Sequence, residues 1–61
     1  MRHFSVTELE NFLHLKRQRH DNAEIGRRWR RDSSEVDLAL WAMVGRTPSQ
    51  AANTLNSRKA A

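Results

Sequence analysis

The sequence has no cysteine, one proline, two glycines and no long uninterrupted apolar stretch. Without cysteine there is neither a disulfide framework nor a thiolate metal site. Small secreted domains usually need such cross-links, so we expect an intracellular protein, in the cytoplasm or nucleoid, or in the nucleus of a eukaryote. No apolar run approaches the roughly 20 residues of a membrane span, and the N-terminus lacks the apolar region of a signal peptide. We therefore expect a soluble protein without a membrane partner.

Catalytic chemistry also has few candidates. The 61 residues predict a single domain, 1–61, and a chain of this length buries only about 60% of its unfolded surface and rarely encloses a catalytic pocket. His14 and His20 are too far apart to bind one metal ion from a single helix face. Gly26 and Gly45 are isolated, so there is no glycine-rich phosphate loop. We predict no enzyme, no metal, no cofactor and no small-molecule substrate.

The charge is basic and unevenly distributed. The formal net charge is +4, and nine of the eleven basic residues are arginine. Residues 1–31 hold eight basic and four acidic side chains, whereas residues 32–61 hold three of each. Guanidinium groups match phosphate geometry, so this pattern favours a nucleic-acid partner. An acidic protein partner and a merely solubilising surface are the alternatives, and the run Lys16, Arg17, Arg19 also suits the end of a helix dipole.

Four capping patterns divide the chain into helices. In a capping box, a Ser, Thr, Asp or Asn side chain accepts a hydrogen bond from the third residue on, where Glu or Gln returns one. The pattern occurs at 5–8, 21–24, 32–35 and 47–50. No segment alternates with the period of a strand. We predict an all-α fold, a compact bundle of four short helices at about residues 6–19, 22–30, 33–44 and 48–58, with a frayed tail at 58–61.

Apolar residues recur at helical spacing within each predicted helix. On helix 1 these residues form an apolar stripe, and Leu15 lies at its edge. The residues that we expect to face inward are Val6, Leu9, Phe12, Leu13, Ile25, Trp29, Val36, Leu40, Met43, Val44, Ala51, Ala52 and Leu55. The connections are short, so the helices must pack against one another.

Two stretches resemble the second and third helices of the homeodomain-like superfamily of helix-turn-helix domains. In that pattern an apolar residue is followed by further apolar residues four, eleven and fifteen positions later, with Arg and a Ser, Thr or Asp capping residue in the turn between the two helices. The first stretch has Ile25, Trp29, Arg31, Asp32, Val36 and Leu40, and the second has Leu40, Val44, Gly45, Arg46, Thr47, Ala51 and Leu55. Because both stretches include helix 3, the DNA-reading helix is either helix 3 or helix 4.

The segment from Gly45 to Ser57 also resembles the recognition helix of a Myb/SANT-type repeat. It begins with Gly-Arg-Thr and ends with Asn-Ser. By that resemblance, Asn53 and Asn56 fall where Myb repeats place base-reading asparagines, and Leu55 falls where they usually bury a tryptophan. The resemblance implies a transcriptional regulator that binds double-stranded DNA.

The chemistry of the two helices favours helix 4 as the reader. Its side chains Ser49, Gln50, Asn53, Asn56 and Ser57 share one uncharged face, and amide groups bind adenine edges. Helix 3 carries acidic residues, which oppose phosphates. The residues that we predict to contact phosphates are Arg27, Arg28, Arg31, Arg46, Arg58 and Lys59. For the arginines of helix 2, ion pairing with nearby carboxylates is the alternative.

Helix 3 carries a second apolar pair, Leu38 and Trp41. This pair suits packing against helix 4, or contact with another protein. SANT-type domains resemble Myb repeats yet often bind protein tails, so the alternative function is a protein-interaction module that uses Leu38 and Trp41. A homodimer, or an oligomerising component of a larger regulator, is a further alternative, because one small reader specifies few bases and often relies on two-fold symmetry.

Overall fold

The computed structural model describes residues 3–57, which form four helices joined by short turns. Helix α1 spans Val6–Arg17, α2 Asn22–Trp29, α3 Ser33–Ala42 and α4 Pro48–Asn56. The all-α bundle of four short helices is thereby confirmed, and residues 3–57 contain no strand. Each helix ends one or two residues earlier than expected. The tail predicted at 58–61 lies outside the described residues.

Side-chain caps begin the helices, with one departure from the predicted pattern. The boxes at the starts of α2 and α4 are complete. At α3, the Glu35 carboxylate accepts the N–H of Asp32 at 2.9 Å. At α1, Ser5 Oγ accepts the N–H of Glu8 at 3.0 Å, but the Glu8 carboxylate turns inward to Arg31. That departure places a carboxylate inside the protein.

Helices α1 and α3 form the centre of the bundle. Each contacts all three other helices, whereas within residues 3–57 no contact joins α2 to α4. The buried core consists of Phe4, Leu9, Phe12, Leu15, Ile25, Val36, Ala39, Met43, Ala51, Ala52 and Leu55. Helices α2 and α4 therefore flank the α1–α3 pair on separate sides.

Three aromatic side chains pack together in this core. The ring of Phe12 meets those of Phe4 and Trp29 edge to face, with centroid distances of 6.5 and 6.4 Å. The indole N–H of Trp29 donates to Asn11 Oδ1 at 3.0 Å, so its polar atom is satisfied. Trp29 is thus an inward-facing anchor, as predicted.

Two residues predicted to face inward lie at the surface instead. Val6 is 38% exposed and Val44 is 63% exposed. Val44 lies beyond the end of α3, in the turn that leads to Gly45, where the helical periodicity no longer applies. Leu15, expected at the flank of its stripe, is buried. None of the described helices combines the length and the apolar composition that a membrane crossing requires.

A three-residue turn joins α2 to α3. Arg30 adopts the left-handed conformation (φ 56°), and the N–H of Arg31 donates to the Gly26 carbonyl at 2.8 Å, which closes the end of α2. Gly26 is buried, and a Cβ atom there would collide with the Arg31 carbonyl oxygen. The missing side chain lets the chain fold directly back on α2, so α2 and α3 form a tight helix-turn-helix unit.

Candidate nucleic-acid interface

The face of α4 predicted to read bases lies mostly at the surface. Ser49, Gln50, Asn53 and Ser57 are exposed. The side-chain oxygen of Gln50 accepts the N–H of Thr47 at 3.0 Å as part of the helix cap. Ser49, Gln50 and Asn53 border a shallow groove between α4 and the segment that leads into α1.

Asn56 has a structural role that the sequence does not suggest. Its Oδ1 accepts the N–H of Phe4 at 2.9 Å, and its Nδ2 donates to the carbonyl of Phe4 at 3.0 Å. Both sides of the amide are therefore engaged with the backbone of the N-terminal segment. The assignment of Asn56 to base reading is corrected accordingly, because this amide clamps the two ends of the described chain together.

Arg31 is buried, with 7% of its surface exposed. Its guanidinium donates to both carboxylate oxygens of Glu8, through Nε to Oε2 and through Nη2 to Oε1, the latter at 3.0 Å. It also pairs with Glu35 at 3.3 Å and donates to the carbonyl of His3 at 2.7 Å. The group lies over the ring of Phe4, 3.9 Å from the centroid. The prediction that Arg31 binds phosphate is wrong, because its donors hold the interior together.

The other predicted phosphate contacts are dispersed. Arg27 and Arg28 are exposed on α2. Arg46 is exposed in the turn before α4, where its Nη1 donates to the carbonyl of Ala42 at 3.2 Å. Arg58 and Lys59 lie outside the described residues. Since α2 and α4 occupy separate flanks of the bundle, the fold does not gather the arginines of α2 beside the polar face of α4.

A different group of polar side chains lies close together at the outer face of α3. Lys16 Nζ donates to Asn22 Oδ1 at 2.9 Å, and Asn22 Nδ2 donates to Asp37 Oδ1 at 3.4 Å. This chain of hydrogen bonds joins the end of α1, the start of α2 and the exposed side of α3. Beside it, Trp41 and Val44 line an open depression.

The acidic residues of α3 are less unfavourable to DNA than the sequence indicates. Glu35 is paired with Arg31 and caps the first turn, where the helix dipole favours a carboxylate. Asp37 is the other acidic residue of α3, and it is exposed. Because Arg31 shares its single positive charge between Glu8 and Glu35, the two carboxylates of α3 oppose phosphates less than two unpaired ones would, and Asp37 is the more exposed of them.

The corner between α1 and α2 carries three cations, one of which, Lys16, borders this face. Lys16, Arg17 and Arg19 are all exposed. The sequence indicated only a helix-dipole role for them, whereas in the structure Lys16 lies beside Asn22 and the outer face of α3. We call Lys16, Arg17 and Arg19 the basic corner.

The two residues of the second apolar pair predicted on α3, Leu38 and Trp41, differ in exposure. Leu38 is half-buried and packs against the core, whereas Trp41 is 68% exposed. Leu38 therefore contributes little to any external surface. The residues that accompany Trp41 at the surface are instead Val44 and, in part, Leu40.

Comparisons of the chain with protein-family models, curated proteins and solved structures give no match. The resemblance to homeodomain-like and Myb/SANT domains therefore stays a prediction that depends on the residues quoted above. Within residues 3–57, no three His, Asp or Glu side chains are arranged to hold a metal ion.

Proposed function

We propose that this chain is a small intracellular DNA-binding protein that docks its α2–α3 unit on duplex DNA, with α3 in the major groove. The observation that supports this most directly is the hydrogen-bonded chain from Lys16 through Asn22 to Asp37, because it ties Lys16, one residue of the basic corner, to the outer face of α3. In helix-turn-helix complexes the second helix enters the major groove, while the preceding helix and the corner before it meet the backbone. In this proposal the protein acts as a transcriptional regulator that binds DNA and catalyses no reaction.

The basic corner positions the protein on the phosphates. Its three side chains are exposed, and each cation that neutralises a phosphate adds about 0.9 to the salt dependence of log K. Such contacts supply affinity and orientation without sequence information. Arg27 and Arg28 are also exposed on α2 and are further candidates for contact with phosphates.

The outer face of α3 supplies the base contacts. Ser34, Asp37 and Trp41 are exposed and follow one another at spacings of three and four residues, which places them on one side of the helix. A hydroxyl group donates or accepts at any base, and a carboxylate accepts from cytosine N4. We therefore propose α3 as the reader in place of α4, whose polar face loses Asn56 to the backbone of Phe4.

Removing one cation of the basic corner tests the docking geometry. With a duplex selected from a random pool, Arg17→Gln is expected to weaken binding to all sequences and to reduce the salt slope by about 1. Fluorescence anisotropy at several salt concentrations measures both quantities. Arg46→Gln is the matched control, because its guanidinium already caps the end of α3 on the Ala42 carbonyl. Docking through α3 is refuted if only Arg46→Gln lowers the slope.

Base-preference measurements distinguish the two candidate readers. Selection repeated with Ser34→Ala should relax the preferred sequence at one position, whereas Asn53→Ala on α4 should leave it unchanged. The reverse outcome would make α4 the reader, as the sequence suggested. Absence of any sequence preference in the wild-type chain would remove the regulatory role.

Asp37→Asn should change both affinity and specificity. Removing a negative charge from the face that meets DNA strengthens binding to all duplexes. The amide also pairs with adenine rather than with cytosine, a discrimination of roughly 1–3 kcal/mol for a good bidentate contact. Binding to duplexes that differ only at the base preferred by the wild type checks the change. An unaltered base preference would show that Asp37 does not face the groove.

A protein-interaction module is the second candidate, because Trp41 and Val44 are the most exposed large apolar side chains of the described residues. In that case Trp41→Ala would abolish capture of a protein partner, and duplexes would bind weakly and without preference. Self-association is checked by sedimentation at several protein concentrations.

A further inference from the structure

We propose that the apolar patch of Leu40, Trp41 and Val44 recognises the 5-methyl group of a thymine in the bound duplex, an inference that rests on the proposed function. Trp41 is 68% exposed and Val44 is 63% exposed. The other three aromatic side chains of the protein pack against one another in the core. An apolar patch that stays open on a small, strongly polar chain marks a binding surface.

The position of the patch on α3 suits the major groove. Trp41 lies one helical turn after Asp37, so both belong to the face proposed to meet base edges. Together with Leu40 and Val44, Trp41 lines an open depression of about 220 Å³. In the major groove, thymine is the base that presents an apolar group, its methyl, and apolar side chains contact it there.

Lys16, at the rim of the patch, suits DNA as its occupant. Lys16 and Asp37 form part of the rim of the depression, and Lys16 belongs to the basic corner. A DNA strand brings a phosphate to the cation on the same side on which it presents a base edge to the helix. An apolar helix from a second copy would instead take the charges of Lys16 and Asp37 out of water, although these two groups are linked only through Asn22. We therefore assign the patch to duplex DNA.

Replacing thymine with deoxyuridine tests this inference, because it removes the methyl group alone. In the duplex selected by the wild-type chain, each thymine is replaced in turn and binding is measured. At one position we expect about 3- to 5-fold weaker binding, the effect of burying one methyl group. Trp41→Ala should weaken binding to the thymine duplex and abolish the difference between thymine and uracil, a coupling that a double-mutant cycle measures.

Val6→Ala is the matched control, because Val6 is an exposed apolar residue on α1. It should retain the discrimination between thymine and uracil. Trp41→Ala should unfold at the wild-type temperature, since its side chain packs little, so a loss of discrimination would not reflect misfolding.

Three outcomes would overturn the inference, and they are distinguishable. If the wild type binds uracil and thymine equally at every position, or if Trp41→Ala keeps the discrimination, the patch does not recognise the methyl group although DNA binding stands. If no duplex binds at any salt concentration, the proposed function fails as well. Loss of self-association in Trp41→Ala, measured by sedimentation, would then identify a second copy as the occupant.

Discussion

Arg31→Met is expected to lower the free energy of unfolding by about 3–5 kcal/mol, because it leaves the Glu8 carboxylate buried without its partner. The guanidinium also holds the His3 carbonyl and covers the ring of Phe4, so the N-terminal segment loses two anchors. A domain of this size has only a few kcal/mol of net stability. Circular dichroism should therefore show a largely unfolded variant, which an osmolyte partly refolds.

Two further variants test whether Arg31 stabilises the protein through its buried ion pair or whether loss of any arginine would have the same effect. Arg28→Met removes an exposed guanidinium from α2 and should change stability by no more than about 0.5 kcal/mol. Adding Glu8→Leu to Arg31→Met should recover much of the loss, because a well-packed apolar pair replaces a buried ion pair at little cost. The interpretation is wrong if Arg31→Met is as stable as Arg28→Met, or if Glu8→Leu brings no recovery.

Gly26→Ala is expected to destabilise the protein by about 3 kcal/mol, although alanine is the better helix former by roughly 1 kcal/mol. The added Cβ would lie far inside van der Waals contact with the Arg31 carbonyl, a backbone atom that moves only if the α2–α3 turn opens. Opening that turn would displace α3 relative to Asn22. The folded fraction of Gly26→Ala should therefore bind DNA more weakly than the wild type. Urea unfolding and anisotropy measure the two effects.

Gly45→Ala supplies the matched comparison. Gly45 has φ 73°, but no atom lies within 4 Å of a Cβ built there. Its substitution should therefore cost only the roughly 1–2 kcal/mol of a left-handed backbone. Destabilisation of Gly45→Ala beyond that of Gly26→Ala would contradict the close approach of α2 to the turn.

Interactions between near neighbours in the sequence predicted the helices. Capping residues and the apolar repeat both act within one or two turns, so they indicated four helices and most of the core, including Phe12, Ile25 and Leu55. They failed where the backbone leaves the helical path, as at Val44. They also missed the burial of Ala39, because a short side chain adds little to the apolar pattern.

The sequence predicted which types of side chain the candidate site contains, but not which of them lie together. Basic residues and a second apolar pair that includes Trp41 were indicated, but the choice of α4 included Asn56, whose partner lies far away in the sequence. Asn56 is bound to Phe4, 52 residues away. An amide looks the same in a sequence whether it binds a base or the chain's own backbone, so composition could not separate the two roles.

By itself, the sequence determined the positions of the four helices and the excess of positive charge, because both follow from local hydrogen bonds, side-chain period and residue type. Only the tertiary structure decided which polar groups remain at the surface. It withdrew the guanidinium of Arg31 from the surface by pairing it with Glu8, 23 residues earlier. It also placed Lys16, at the end of α1, beside α3. Contacts between distant residues depend on how helices pack, and packing leaves no repeating signal along the chain.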